Sequence, residues 1–122
     1  MKNKLTWFEI NVTNLERAKA FYESVLGAEF TFVDMPAAPM YMFNIDQSTG
    51  EAGGALVKAS DNGPTDKGTI IYFSSQDVSI EAAKVERAGG KLLFPKTNIG
   101  DFGFIVHFID TEGNRIGLHS QK

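Results

Sequence analysis

Residues 7–27, WFEINVTNLERAKAFYESVLG, contain a strand pattern followed directly by a helix pattern. Trp7 and Glu9 alternate with apolar residues, which is typical of a half-buried strand. Asn14 offers a side-chain oxygen as an N-cap, and apolar residues then recur at helical spacing as far as Gly27, which suits a helix end. The segment therefore predicts a strand–helix unit whose strand carries a Trp and a Glu on one face.

The rest of the chain repeats this unit. Three more strand patterns precede a polar linker at residues 59–67, and the same order of strand, helix and three strands then follows. Trp7 and Ile70 lie 63 residues apart, as do Gly27 and Gly90. Such a repeat indicates a supersecondary unit that buries its sheet face either against the other copy or against a second chain.

The predicted fold class is α+β, with two βαβββ repeats at about residues 5–58 and 68–120 within one domain, residues 1–122. The two repeats form a curved mixed sheet around a cleft, and the helices lie outside. The apolar residues expected to face the helices are Phe8, Ile10, Phe104, Val106 and Phe108. The alternate residues of the same strands then line the cleft.

Composition excludes several classes of function. The 122 residues contain no cysteine, so disulfides, a thiolate nucleophile and a cysteine zinc site are excluded. A net charge of −3 with no basic stripe argues against a nucleic-acid partner. No apolar run is long enough to span a membrane, and no apolar core follows the basic start at Met1–Lys4. We expect a cytoplasmic protein with a small-molecule ligand.

Two segments resemble a known family. Residues 7–27 are similar to the opening strand and helix of the vicinal oxygen chelate superfamily, which includes glyoxalases and bleomycin-resistance proteins. Residues 108–118, FIDTEGNRIGL, resemble its closing hairpin, whose consensus is roughly DPxGNxxEL. In that hairpin Asp110, Gly113 and Asn114 are typical of a turn and not of catalysis. The resemblance covers nearly the whole chain and implies the fold described above and a homodimer.

The resemblance also implies a metal site that this sequence does not support. Family metalloenzymes hold a divalent cation with one residue near the start of each half's first strand and one from each half's last strand. Those positions correspond here to Trp7, Ile70, a residue near Gly54–Leu56, and Gly117. None of these side chains donates to a metal. We therefore expect no metal cofactor at the usual site.

A few polar residues remain as candidates for chemistry. Glu9 and His107 are the candidate catalytic residues, as an acid–base pair facing the cleft. His119 is a diagonal neighbour of His107 across the predicted hairpin, so Glu9, His107 and His119 together would make a displaced metal site. The candidate ligand-binding residues are Trp7, Glu9, Tyr41, Phe43, Tyr72, Ser74, His107 and His119. Tyr41 and Phe43 are included as the first-half equivalents of Ile105 and His107.

The sequence leaves three functions open. The first is a binding module that holds a small organic molecule between aromatic walls without metal. The second is a glyoxalase-like lyase or isomerase that uses the Glu9–His107 pair or the displaced metal. The third is a structural subunit whose aromatic residues are buried in a dimer interface.

Overall fold

The computed structural model describes residues 5–122, so the basic start at Met1–Lys4 lies outside the described residues. Neither helix within this range has the length and apolar character needed to cross a bilayer. The first half contains β1 (Trp7–Asn11), α1 (Leu15–Leu26), β2 (Phe30–Val33), β3 (Met40–Phe43) and β4 (Gly53–Val57). The second half contains β5 (Tyr72–Ser74), α2 (Val78–Val85), β6 (Lys91–Asn98), β7 (Phe104–Ile109) and β8 (Arg115–Ser120).

Each half forms a four-stranded mixed sheet of the same topology. The strand orders are β1-β4-β3-β2 and β5-β8-β7-β6, and in each sheet the first strand pairs in parallel with the last. The other pairs are antiparallel. The predicted fold class, α+β with two βαβββ units in a curved arrangement, is confirmed.

Capping residues set the helix ends. The Asn14 side chain accepts a hydrogen bond from the Arg17 amide at 3.0 Å, and Gly27 ends α1 in the left-handed region at φ 67°. Asp77 caps α2 by accepting from the Ser79 amide. The residue pattern of the second half predicts a helix as far as Ala88 with Asp77 or Ser79 as its cap, but the regular helix ends at Val85 and irregular turns follow.

One hydrophobic core lies between the helices and both sheets. All five residues predicted to face the helices belong to it, and Val106 and Phe108 are fully buried. The edge strands β1 and β5 meet there through Phe8 and Phe73, whose ring centroids are 5.6 Å apart. Because the two halves share this core, neither sheet is expected to be stable alone.

The turn between β7 and β8 also ties the halves together. The Tyr22 hydroxyl donates to Asp110 at 2.6 Å, and burial raises the pKa of Tyr22 well above its ordinary value. The buried Glu112 carboxylate accepts from the Thr13 and Asn14 amides and from Arg17. The turn therefore caps the helix of the other half.

Two strands of the second half differ in length from what the residue pattern predicts. The pattern predicts β6 over Lys91–Phe94, and the strand continues to Asn98. Its pairing is irregular between Phe94 and Thr97, and Pro95 falls in this gap, where no ladder donor is required. β5 was predicted from Thr69 and begins at Tyr72.

Candidate functional site

The two sheets each have a face turned away from the helices, which together we call the cleft face. In the first half the centre of this face is apolar: Met40, Ala55 and Val57 are buried there, with Ala38 and Ala59 packed against them. Glu9 and Asn11 of the edge strand β1 lie beside Ala55 and Val57 on the same face. In the second half it carries polar side chains, including Tyr72, His107 and Arg115. The candidate site therefore lies mainly on the second sheet.

The structure corrects the placement of Tyr41 and Phe43. Both were predicted to line the cleft, but Tyr41 pairs with Leu56 and hydrogen-bonds to Glu16 of α1. Phe43 packs against the core rings of Phe8 and Tyr22. The cause is a shift of one residue in the assumed repeat alignment, which exchanges the two faces of a strand.

A shift of two residues affects the first strand of the second half. The repeat alignment paired Trp7 with Ile70. In the strand ladders, however, Trp7 lies opposite Gly53 and Tyr72 lies opposite Gly117, so the structural equivalent of Trp7 is Tyr72. An even shift keeps the face, so Tyr72 does lie on the cleft face as predicted. In each half an aromatic ring therefore covers a glycine of the last strand.

Gly117 is required for this arrangement in the second half. A Cβ at Gly117 would lie 2.4 Å from a ring carbon of Tyr72, and one at Gly53 would lie 3.0 Å from Trp7. The position where the family's metalloenzymes carry a Glu is thus the surface on which the Tyr72 ring rests.

A hydrogen-bond chain runs across the cleft face of the second sheet from Arg115 through His107 to Tyr72. The Arg115 Nε–H donates to His107 Nδ1 at 3.0 Å, and His107 Nε2 lies 2.6 Å from the Tyr72 hydroxyl oxygen. The Phe94 ring lies against the imidazole with centroids 4.9 Å apart. His107 itself is 6% exposed, whereas Tyr72 is 49% exposed.

These contacts determine the tautomer of His107. Arginine Nε can only donate, so Nδ1 must accept and the single proton of the neutral ring lies on Nε2. The Nε2–H then donates to Tyr72, which leaves the Tyr72 O–H free to donate to another acceptor. Burial and the Arg115 charge lower the pKa of His107, which favours this neutral form.

A groove of about 360 Å³ lies beside Tyr72 on the second sheet. The Phe102 carbonyl lies 2.6 Å from His119 Nε2 and, since a carbonyl only accepts, His119 donates to it. This bond holds the β6–β7 connection over the sheet, where the Phe102 ring is 74% exposed. The lining residues of this second-sheet groove are Tyr72, Ser74, Ile99, Phe102, Ile105 and His119.

Glu9 lies elsewhere, in a pocket of about 270 Å³ between β1, the linker and β8. Its carboxylate accepts from the Trp7 indole nitrogen at 3.2 Å. This junction pocket is lined by Glu9, Ile10, Asn11, Asn62, Gly63, Thr65, Lys67, Thr69, Ile71, Asn114, Arg115 and Ile116. Glu9 and His107 share no direct hydrogen bond, and their role as an acid–base pair stays a prediction.

The side chains present do not fit a divalent cation. Within residues 5–122, no group of three His, Asp or Glu residues is placed to hold a metal. Glu9, His107 and His119 instead bond to Trp7, to Tyr72 with Arg115, and to Phe102 respectively. The displaced metal site is therefore not supported by this donor set, and the absence of a metal cofactor stays a prediction.

Sequence reasoning missed Arg115 and Phe102. The rule that selected His119 as a diagonal neighbour of His107 applies equally to Arg115, since His107 lies opposite Gly117. The signal was thus available for Arg115. For Phe102 there was none, because its position depends on the path of the β6–β7 connection.

Comparison with known proteins gives one family match and distant relatives. The model of the Glyoxalase/Bleomycin resistance protein/Dioxygenase superfamily matches residues 4–118. A Mycobacterium tuberculosis protein named "Putative glyoxylase CFP32" is 27% identical over 114 residues, which is 92% of this chain and 43% of that protein. The chain thus spans less than half the length of this relative.

Solved structures share the fold at low identity. A glyoxylase/bleomycin resistance protein/dioxygenase domain from Frankia sp. EAN1pec has a TM-score of 0.77 and 14% identity, with full coverage of both chains. Glyoxalase I from Zea mays has a TM-score of 0.73 and 21% identity over 94% of this chain and 45% of that one. At these identities the likeness concerns the fold.

Proposed function

The chain belongs to the Glyoxalase/Bleomycin resistance protein/Dioxygenase superfamily, and on that basis we propose that it binds a small organic molecule in the second-sheet groove without a divalent metal. The observation that carries the proposal is the half-exposed Tyr72 ring, which has its O–H available beside an apolar groove. A few polar groups among apolar walls are typical of a small-molecule site.

The residues that line the groove favour a ligand with two chemically different parts. Ile99, Phe102 and Ile105 offer apolar surface, which favours a flat or partly apolar portion. Tyr72 and Ser74 offer hydroxyl groups, and the Tyr72 O–H requires an acceptor atom such as a carbonyl oxygen. We do not extend the proposal to the lyase alternative, because both nitrogens of His107 are already engaged.

The test is a screen of small organic molecules by NMR and by Trp7 fluorescence, followed by two matched glycine variants. Gly117→Ala must displace the Tyr72 ring, so we expect ligand affinity to fall at least ~10-fold. Gly53→Ala places a methyl group under Trp7 in the first half, with a milder contact of 3.0 Å, and should leave affinity within about two-fold. Thermal melting of both variants would check that they fold.

Two results would contradict the proposal. Unchanged affinity in Gly117→Ala would mean that the ligand does not use Tyr72. Loss of binding on addition of EDTA would contradict the metal-free part alone. The homodimer implied by the family stays a prediction, which sedimentation analysis would test.

A further inference from the structure

We infer that the junction pocket is a second binding site, specific for the oxyanion of a small organic acid, and that Arg115 is its recognition residue. This goes beyond the proposed function, which concerns the second-sheet groove. The pocket is lined by residues of β1, the linker and β8, and its volume of about 270 Å³ is near the lower end of the range for small-molecule sites.

The charge of Arg115 is not neutralised by a protein carboxylate. Its Nε–H donates to a neutral imidazole, and no Asp or Glu among residues 5–122 lies within ion-pair distance. The remaining N–H groups have no acceptor among the same residues, yet the side chain is only partly exposed. A guanidinium held by one edge, with its other donors available, suits bidentate binding of a carboxylate or a related oxyanion.

The walls of the pocket are fixed by hydrogen bonds. The Asn114 side chain accepts from the Thr65 amide at 3.0 Å and donates to the Asn11 carbonyl at 2.8 Å. One buried amide therefore joins the linker, β8 and the end of β1. The Lys67 amide donates to the Thr65 hydroxyl, which shapes the linker further. A site held in this way loses little conformational entropy on binding.

The other charges around the pocket are weaker influences. Lys67 is 85% exposed and lies 3.5 Å from Asp66, so its ammonium contributes little. Glu9 is the one carboxylate of the lining, and it accepts from Trp7. The negative charge of Glu9 repels an anion. The pocket should therefore prefer small acids, whose carboxylate can bind close to Arg115 and away from Glu9.

The site is connected to the second-sheet groove through His107. An oxyanion on Arg115 would reduce the positive charge beside the imidazole, which donates to Tyr72. Binding in the junction pocket should therefore shift the side-chain NMR signals of His107 as well as those of Arg115. This provides a readout that does not need the ligand of the groove.

The test uses propionate and its uncharged isostere propionamide, at constant ionic strength. In the wild-type protein we expect saturable shifts of Arg115 and His107 with propionate, and affinity at least ~10-fold weaker for propionamide. Arg115→Met keeps the apolar stem and should weaken propionate binding at least ~10-fold. Arg87→Met removes an exposed arginine outside the pocket and should have no effect.

Three outcomes would overturn the inference: equal binding of propionate and propionamide, equal effects of Arg115→Met and Arg87→Met, or no saturable shift with propionate.

If Arg115→Met does not fold, Arg115→Lys serves instead, since it keeps the charge and loses the planar guanidinium. Unchanged propionate affinity in Arg115→Lys would contradict bidentate binding. Glu9→Gln should tighten propionate binding, and a weakening would overturn the repulsive role of Glu9. A protein that binds groove ligands but not propionate would leave the proposed function intact.

Discussion

The cleft faces of the two sheets have the same topology and different chemistry at their centres. In the first sheet Met40, Ala55 and Val57 are buried and pack against Ala38 and Ala59, and the polar residues Glu9 and Asn11 lie at the β1 edge. In the second sheet the corresponding face carries Tyr72, which lies beside an open groove, and a buried histidine. The difference teaches that the repeat preserves strand order and register, while one copy uses this face for packing and the other leaves it open beside a groove.

The turns before the last strands differ in the same way. Asp46 in the first half is exposed and bonds locally to Ser48. Its counterpart Asp110 is 3% exposed and accepts from Tyr22 of the other half. The second half therefore holds the first in place through its turn, and the first-half turn makes no comparable contact among the bonds of the described residues.

The largest expected effect is the loss of the Glu112 carboxylate. Glu112→Gln removes the charge that Arg17 and two amides at the start of α1 share, so unfolding free energy should fall by about 2 to 3 kcal/mol. Urea denaturation would measure it. Asp46→Asn removes an exposed carboxylate from the first-half turn and should leave stability nearly unchanged. Equal losses would break the comparison between the turns.

The same carboxylate gives a pH dependence of definite sign. Burial raises the pKa of Glu112, but the Arg17 and amide hydrogen bonds outweigh burial and lower it from 4.5 to about 2. A depressed pKa means that the stabilisation is complete above the unfolded value and is lost as pH falls through about 2. The acid limb of the stability curve should therefore flatten in Glu112→Gln.

A smaller effect separates the two cleft faces. Met40→Ala should cost about 2 kcal/mol of stability, because Met40 is 8% exposed in the first-sheet cluster, and it should leave groove binding unchanged. Ile105→Ala should cost about 1 kcal/mol, since Ile105 is only partly buried, and should weaken groove binding. Chemical denaturation and ligand titration of both variants would measure this. The reverse pattern would mean that the functional face is on the first sheet.

Much of the fold could be predicted because it depends on local patterns. The cap at Asn14, and the helix-facing alternation of β1 and β7, follow from residue spacing alone. The errors at Tyr41 and Phe43 arose because repeat alignment across gaps is uncertain by one residue, and one residue reverses a strand's face.

The site was less predictable because it depends on contacts across the sheet. His107 and Tyr72 were expected on one face, but the bond from Arg115 that fixes the histidine tautomer requires the strand register. The prediction that Glu9 and His107 form a pair rested only on the expectation that both side chains face the cleft. Glu9 belongs to β1 and lines the junction pocket, whereas His107 belongs to the second sheet.

The smallest effect concerns the titration of His107. Burial and then the Arg115 charge lower its pKa, so an NMR titration should place the pKa below the ordinary value of 6.5. Because the folded pKa is depressed, the neutral ring's contribution to stability is present above pH 6.5 and is lost as pH falls through the folded pKa. Arg115→Met should raise the pKa of His107 without restoring the ordinary value, because burial remains.

Both histidines of the chain lie on the second sheet, so pH sensitivity of the cleft face near neutrality should belong to that half alone. An unchanged His107 pKa in Arg115→Met would mean that the guanidinium does not lie against the ring in solution, and the hydrogen-bond chain that distinguishes the second cleft face from the first would then be lost.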